Sequence, residues 1–212
     1  MKTILKGIYP ITPPVLLSDN DYLEKCFRII TSGIKIFQFR APYFSSRKKR
    51  GLLSEIYKFC IQFNVKLIIN NDLDLVKKYD GSGLHIGKSD ISVDKARKIL
   101  GKDAVIGYSC QNKIINADKI RKLDINYLSI GSMFHTSTKK DTFLLNEKVL
   151  MHYKLNKVLP LCIIGGIDKV KINNVLQYHP EMIAISNGIF GEDMDNIIDT
   201  MRCMIQLINE KN

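Results

Sequence analysis

The chain has 212 residues, 45% of them hydrophobic, and a formal net charge of +11 at neutral pH. A chain of this length can bury one substantial core. No linker or low-complexity segment divides it, so we expect one domain over residues 1–212. No run approaches the roughly 18 apolar residues of a membrane span, which argues against a membrane partner.

The positive charge raises the question of a nucleic-acid partner, because basic surfaces bind a phosphate backbone. Apart from the run Arg47, Lys48, Lys49 and Arg50, however, the basic residues are dispersed along the chain. We therefore expect a solvated basic surface and no nucleic-acid partner; the alternative is that the charge helps to steer anionic substrates. The pattern leaves a homo-oligomer open.

The cysteines and histidines indicate neither a disulfide framework nor a zinc site. The five cysteines include no C-x-x-C pair, and the four histidines are scattered without close cysteine or acidic neighbours. Such spacing is typical of reduced thiols inside cells. The proline-interrupted N-terminus shows no cleavage signal, so a cytoplasmic protein is expected.

Short apolar runs recur along the chain at the spacing of parallel strands. Each has four to six residues, is rich in Ile, Val and Leu, and ends at a polar or glycine-bearing segment. The eight predicted strands are residues 7–11, 35–39, 65–70, 83–86, 105–109, 127–130, 161–164 and 182–185.

Stretches of helical character lie between these runs. In the first, Leu23, Phe27 and Ile30 form one apolar face at spacings of four and three, and Gly33 follows as a C-terminal cap. The predicted helices are residues 21–31, 45–62, 74–79, 92–100, 115–122, 148–153, 170–177 and 193–208.

Strands that alternate with helices predict an α/β fold with a parallel sheet. Either an open doubly wound sheet or a closed barrel would satisfy the alternation. Eight units favour closure, and no G-x-G-x-x-G follows the first strand. We therefore predict a single (βα)₈ TIM barrel, whose strand C-termini gather at one face and form the active site.

The second strand ends in Gln38 and Arg40, which lie two residues apart and therefore share one face of the strand. Arginine offers forked donors for a phosphate, and glutamine can both donate to and accept from a heterocycle. The alternative is a polar pair that only caps the barrel mouth.

The third and fourth strands are followed by Asn70 and Asn71 and by Asp90. Mg²⁺ usually takes one or two carboxylates together with phosphate oxygens and water. These residues therefore make a candidate magnesium site. The alternative is that Asp90 caps the helix that begins near residue 92.

Two further segments suit a phosphorylated ligand. Residues 136–139 combine hydroxyl groups and an ammonium in a loop after the sixth strand. Gly165, Gly166 and Ser186 end the seventh and eighth strands, where barrels often hold a phosphate on backbone N–H groups. A solvated loop and two tight turns are the plain alternatives.

Taken in order, these segments resemble the family of thiamine phosphate synthase and thiazole tautomerase. The resemblance covers residues 7 to 191, and its strength lies in the order of the motifs at the strand ends. The matching segments are residues 38–40, 67–70, 83–87 with Asp90, 106–109, 136–139, 164–167 and 185–186.

The resemblance implies a transferase that joins hydroxymethylpyrimidine diphosphate to a thiazole phosphate with Mg²⁺. It implies that Gln38 contacts the pyrimidine and that Asp90, with Asn71 beside it, serves the metal. The remaining implied contacts are Arg40, Asn70, Ser109 and Lys139 to the diphosphate, and Thr136, Thr138, Gly165, Gly166, Ile185 and Ser186 around the thiazole phosphate, with Arg40, Ser109 and Lys139 as the catalytic group.

The sequence departs from the family pattern at three positions. Pro42 replaces a cation, Asn71 replaces a metal-binding aspartate, and His135 replaces a proline. Asp72 and Lys88 lie close enough in sequence to supply the missing charges. The alternative function is a thiazole tautomerase or a paralogue that binds thiazole phosphate without coupling it, although Gln111 stands where the tautomerase has a histidine.

Overall fold

The computed structural model describes residues 5–14, 18–87, 90–136 and 144–211. All eight predicted strands are present, each within two residues of its predicted ends. They are β1 (Gly7–Pro10), β2 (Ile36–Phe39), β3 (Lys66–Asn70), β4 (Gly83–Ile86), β5 (Ile106–Gln111), β6 (Tyr127–Ile130), β7 (Leu161–Ile164) and β8 (Met182–Ile185).

All eight predicted helices are also present, and several begin at side-chain caps such as Ser45, Asp72 and Ser92. One short helix, α8, was not predicted, because four residues are too few to show a helical period. The helices are α1 (Asp19–Thr31), α2 (Ser46–Gln62), α3 (Leu73–Val76), α4 (Val93–Leu100), α5 (Ala117–Lys122), α6 (Glu147–Leu155), α7 (Ile172–Leu176), α8 (Asn187–Phe190) and α9 (Ile197–Lys211).

The strands form one parallel eight-stranded sheet in the order β1-β8-β7-β6-β5-β4-β3-β2. The sheet closes between its first and last members through a parallel bridge of Ile11 to Gln38. The Thr12 N–H donates to the Gln38 carbonyl at 3.0 Å and extends this contact. The predicted (βα)₈ barrel is therefore confirmed, and all strand C-termini open on one face.

Apolar side chains fill two separate layers. A large outer cluster packs the strands against the surrounding helices. A smaller cluster inside the barrel includes Tyr9, Ile36, Ile68, Tyr127 and Met182. Because side chains alternate across a strand, most strands supply both layers, and this explains why those strands read as nearly continuous apolar runs.

Gly107 on β5 makes room for the largest side chain of the inner layer. A methyl group at this position would overlap the ring and hydroxyl of Tyr127. The Tyr127 ring is fully buried and crosses the barrel towards Tyr9, with 5.9 Å between the ring centroids. The Tyr127 side chain can therefore occupy the centre of the barrel only because residue 107 is a glycine.

Arg97 joins the N-terminal ends of β5 and β6 on the face opposite the strand C-termini. Its guanidinium donates to the carbonyl oxygens of Gly101, Ala104 and Asp124 at 2.8 Å each. Only 10% of the side chain is exposed. Backbone carbonyls in partly buried loops need partners, and one guanidinium satisfies three of them here.

None of the five cysteines is disulfide-bonded, and four of them are buried. Among the helices of the described residues, none is long and apolar enough to cross a membrane.

We predict that Arg97→Met lowers the free energy of unfolding by about 2 kcal/mol, because it leaves several partly buried carbonyls without their charged donor. Urea denaturation measures the change. Arg121→Met is the matched control, since Arg121 makes only an exposed ion pair with Asp118 and should cost at most about 0.5 kcal/mol. Equal losses in the two variants would contradict the assigned role of Arg97.

Candidate active site

A cavity of about 950 Å³ opens at the C-terminal ends of the strands. Gln38, Asn70, Ser109, Gly166 and Ser186, which are far apart in sequence, all lie in its wall. The predicted convergence of these residues at one mouth is confirmed. The volume of the cavity lies at the upper end of the range for small-molecule sites.

Most of the predicted site residues line this cavity, but three do not belong to its described wall. Asp90 is absent from the wall. Thr138 and Lys139 lie outside the described residues, as does Lys88. The predicted residues that line the cavity are Gln38, Arg40, Asn70, Asn71, Ser109, Thr136, Gly165, Gly166, Ile185 and Ser186.

The two-residue period of the strands explains why these side chains meet. Ile36 belongs to the inner cluster, so Gln38 and Arg40 continue the same inward face towards the mouth. On β5, Ser109 and Gln111 are two residues apart and both lie in the cavity wall, with buried Cys110 between them. Most site residues therefore lie near the C-terminal end of a strand or directly after it.

A chain of hydrogen bonds runs across the barrel beneath the cavity. Gln38 Nε2 donates to the Tyr9 hydroxyl at 2.7 Å, and that hydroxyl is 2.8 Å from the Tyr127 hydroxyl. The Tyr127 hydroxyl is 3.0 Å from His85 Nδ1. Ser129 Oγ lies 3.4 Å from His85 Nε2 and ends the chain. Four strands are linked in this way.

The two phenols of this floor are uncharged. Burial raises the pKa of Tyr9, although hydrogen bonds from Tyr127 and Gln38 oppose the rise. Burial and the neighbouring Tyr9 both raise the pKa of Tyr127. Both phenols therefore stay protonated at neutral pH and hold Gln38 at a defined place.

Arg40 provides a cation at the end of β2. Its backbone is fixed by Thr12, whose Oγ1 accepts from the Arg40 N–H at 2.7 Å. Burial lowers the pKa of the guanidinium, and the nearby Tyr43 opposes this. No acceptor within the described residues hydrogen-bonds the guanidinium, so its donors can serve an anionic ligand in the cavity.

Asn71 and Asp90 lie in the sector of β3 and β4. The Asn71 N–H donates to the His85 carbonyl at 3.0 Å, and the Asn71 backbone is left-handed with φ of 60°. Asp90 Oδ2 accepts from the Gly87 N–H at 2.6 Å. Asp90 does not cap α4, because Ser92 Oγ accepts from the Lys95 N–H there. The capping alternative is therefore wrong.

Asp72, which could have supplied a displaced charge, instead caps α3 through Oδ1 and the Leu75 N–H at 3.1 Å. It is not part of the cavity wall. Within the described residues no group of three or more His, Cys, Asp or Glu side chains could hold a metal ion. Any metal in this sector would therefore depend on Asp90, Asn71 and the ligand's own oxygens.

The ends of β7 and β8 leave backbone and hydroxyl groups for a ligand. Gly166 has φ of +62°, and a methyl group there would overlap the His135 carbonyl. Ser186 Oγ is buried and has no hydrogen-bond partner within the described residues. Behind them, the buried Lys25 ammonium donates to the Phe190 carbonyl at 2.8 Å and holds the end of α8.

The sequence did not predict the hydrogen-bond chain inside the barrel or one ion pair. Tyr9, His85 and Tyr127 look like ordinary strand residues in the sequence, although each lies on the inward face of its strand. Asp168 and Lys171, which also line the cavity, form an ion pair of 2.6 Å. A carboxylate three residues before a lysine, directly after a glycine pair at a strand end, was the available signal.

Comparison with known proteins gives a consistent family. Residues 8–189 match the family described as thiamine monophosphate synthase. The thiamine-phosphate synthase of Nitrosomonas eutropha is 32% identical over 187 residues, which are 88% of each chain. That of Clostridium acetobutylicum is 28% identical over 212 residues, 100% of this chain and 99% of the other.

Solved structures show the same fold. Thiamine phosphate pyrophosphorylase from Pyrococcus furiosus has a TM-score of 0.81 at 19% identity, with 99% of this chain and 98% of that chain covered. A 3-hexulose-6-phosphate synthase has a TM-score of 0.66 at 15% identity, with 95% and 99% covered. At these identities the likeness supports the barrel and no particular chemistry.

We predict that Tyr127→Phe lowers the free energy of unfolding by about 1–3 kcal/mol, because it breaks the buried chain and leaves polar groups without partners. Tyr178→Phe is the control, since within the described residues the Tyr178 hydroxyl makes no hydrogen bond. Chemical denaturation of both variants measures the difference. If Tyr127→Phe is as stable as Tyr178→Phe, the buried hydrogen bonds of Tyr127 contribute nothing to the stability of the fold.

Proposed function

Because the chain belongs to the thiamine monophosphate synthase family, we propose that it joins hydroxymethylpyrimidine diphosphate to thiazole phosphate and releases diphosphate. The observation that carries this proposal is the single cavity, which offers anion-binding groups at two separate places. Arg40 lies at the end of β2, while Gly166 and Ser186 lie at the ends of β7 and β8. Two phosphorylated substrates of one transfer reaction need such a pair of regions.

The reaction accounts for a site without a dedicated base. The bond between the pyrimidine methylene carbon and the diphosphate oxygen breaks, and diphosphate leaves with the electron pair. The thiazole nitrogen then donates its lone pair to the resulting cation and forms the new C–N bond. No proton has to be transferred, so positioning and neutralisation of the leaving group supply the rate enhancement.

The pyrimidine would lie on the floor of the cavity, where the Gln38 amide hydrogen-bonds an edge of the ring. Gln38 is 2% exposed and is held by Tyr9, so its orientation is set before the substrate binds. Arg40, Asn70 and Ser109 would hold the diphosphate, and Lys139, outside the described residues, would complete this group.

The thiazole phosphate would bind at the ends of β7 and β8. Gly166 brings the backbone close to the ligand, and the unpartnered Ser186 hydroxyl offers a hydrogen bond. Thr136 and Ile185 line the same part of the cavity. Thr138, outside the described residues, would add a second hydroxyl. A phosphate anchored here would point the thiazole ring towards the pyrimidine.

Mg²⁺ fits this site when the diphosphate supplies part of its coordination. Asp90 offers one carboxylate, with Oδ2 already fixed by the Gly87 N–H, and Asn71 offers an amide oxygen. One or two carboxylates completed by phosphate oxygens and water are usual for this ion. When bound, Mg²⁺ neutralises charge on the departing diphosphate.

The tautomerase alternative lacks support in the geometry. Such a reaction moves a proton, and Gln111, in the cavity wall at the end of β5, carries an amide that cannot act as a base at neutral pH. Among the described residues, two imidazoles line the cavity: His135 is exposed, and His85 has both ring nitrogens in the hydrogen-bond chain of the floor. We also propose a cytoplasmic location, which the unpaired cysteines favour, and phosphorylated small molecules as the ligands.

We predict that the protein forms thiamine phosphate and diphosphate from the two substrates in the presence of Mg²⁺. Product analysis by liquid chromatography and release of inorganic diphosphate measure the coupling. Arg40→Met should reduce kcat/KM by about 10²-fold, because a charge-assisted contact to the leaving group is lost. Binding of thiazole phosphate without any coupling, or its isomerisation, would overturn the proposal.

We predict that the reduced metal site shows itself in a Mg²⁺ titration. Asn71→Asp should lower the Mg²⁺ concentration for half-maximal coupling, because a carboxylate attracts the cation more than an amide does. Both residues tolerate the left-handed backbone at this position. Asp90→Asn should raise that concentration or abolish turnover.

The control for this titration is Asp74→Asn, which removes a nearby charge outside the cavity wall. It should leave the Mg²⁺ dependence unchanged. Full activity of the parent in EDTA would contradict the metal proposal. Indifference of Asp90→Asn would show that Asp90 only closes the loop through Gly87.

A further inference from the structure

The loop after β7 places a carboxylate and an ammonium in the cavity wall, beside the glycine pair. Lys171 Nζ lies 2.6 Å from Asp168 Oδ2, and both side chains are partly exposed, 44% and 32% respectively. The proposed reaction uses neither of them. An ion pair on a protein surface usually contributes little to stability, so its position in the wall calls for another explanation.

The carboxylate of this pair is fixed by the backbone. Asp168 Oδ1 accepts from the N–H groups of Lys171 at 2.9 Å and Val170 at 3.1 Å. Burial raises the pKa of Asp168, but the hydrogen bonds and the charge of Lys171 outweigh it and leave the pKa below its usual value. Asp168 is therefore ionised at neutral pH, and the mobile member of the pair is the lysine ammonium.

The pair lies at the end of the cavity formed by β7 and β8. Gly188 in α8 packs so closely on Asp168 that a methyl group added to the glycine would stand 2.9 Å from the Asp168 Cα. The Lys171 ammonium is 5.9 Å from the centre of the Phe134 ring, and Phe134 in turn packs against Gly166. The ammonium thus belongs to the same region as Gly166 and Ser186.

The other described cations of the cavity wall belong to different sectors. Arg40 ends β2, and Lys113 follows β5. Backbone N–H groups and hydroxyls alone would leave a phosphate dianion uncompensated, next to the negative Asp168. Within the described cavity wall, the loop after β7 places one cation, Lys171, at the end of the cavity formed by β7 and β8.

We propose that Lys171 binds the phosphate group of the thiazole substrate and makes the site select the phosphorylated form over the free alcohol. This rests on the proposed function for the identity of the substrate. Asp168 keeps the ammonium beside the cavity when the site is empty and weakens its hold on the phosphate by competing for it. Lys171 is thus a specificity determinant, and Asp168 sets its strength.

Binding of thiazole phosphate alone, measured by isothermal calorimetry, tests this without any coupling. Lys171→Met should weaken binding about tenfold or more, since a charge-assisted hydrogen bond is lost. Binding of the thiazole alcohol should be unchanged. Lys171→Arg should restore most of the affinity for the phosphorylated ligand. Asp168→Asn keeps the Oδ1 acceptor for the backbone and should tighten binding several-fold.

Lys169→Met is the matched control, because Lys169 pairs with Glu192 outside the cavity wall. It should bind thiazole phosphate like the parent. Melting temperatures without ligand identify any variant that fails to fold, and Lys171→Gln then replaces Lys171→Met. The inference is overturned if Lys171→Met equals Lys169→Met, or if both ligands lose affinity together.

The same variants separate this inference from the proposed function. In the coupling assay, Lys171→Met should raise the KM for thiazole phosphate about tenfold and leave the KM for the pyrimidine diphosphate unchanged. If the parent protein shows no coupling, and Lys171→Met still binds thiazole phosphate more weakly than the parent, the proposed function fails and the inference stands. If coupling occurs and that KM does not move, only the inference fails.

Discussion

The interior of the barrel must bury polar side chains away from water, and the hydrogen-bond chain beneath the cavity meets this constraint. A buried polar group without a partner costs about 1–3 kcal/mol, so each member depends on the next. Gln38, Tyr9 and Tyr127 are joined at 2.7 and 2.8 Å, and His85 and Ser129 complete the series. Because these residues come from four strands, the same contacts tie the strands together and form the floor of the site.

The remaining geometry of the site follows from this floor and from the two-residue period of the strands. Tyr127 can reach the centre only because Gly107 carries no side chain. Above the floor, inward residues near the C-terminal ends of several strands line the cavity, such as Ser109 on β5 and Asn70 on β3. A change in the floor would therefore shift the mouth as well as the core.

The strands and the barrel could be predicted because their signals are local. Every predicted strand is present, since a run of apolar residues reports burial on both faces directly. The floor could not be predicted, because nothing local distinguishes Tyr9 or Tyr127 from an ordinary core residue. The two tyrosines are hydrogen-bonded to each other but lie 118 residues apart in the sequence. The same holds for Asp90, whose contact with Gly87 depends on a loop conformation that the residue types leave open.

The distribution of charge across the cavity suits a reaction through a cation. A carboxylate beneath the pyrimidine would trap the positive methylene carbon, and a fixed cation there would oppose its formation. The two phenols do neither, since burial keeps them protonated. In the proposed reaction the positive charge acts instead at the rim, where Arg40 would bind the leaving diphosphate. Pro42 and Asn71 also line the cavity and are uncharged, so neither of them opposes the charge of Arg40.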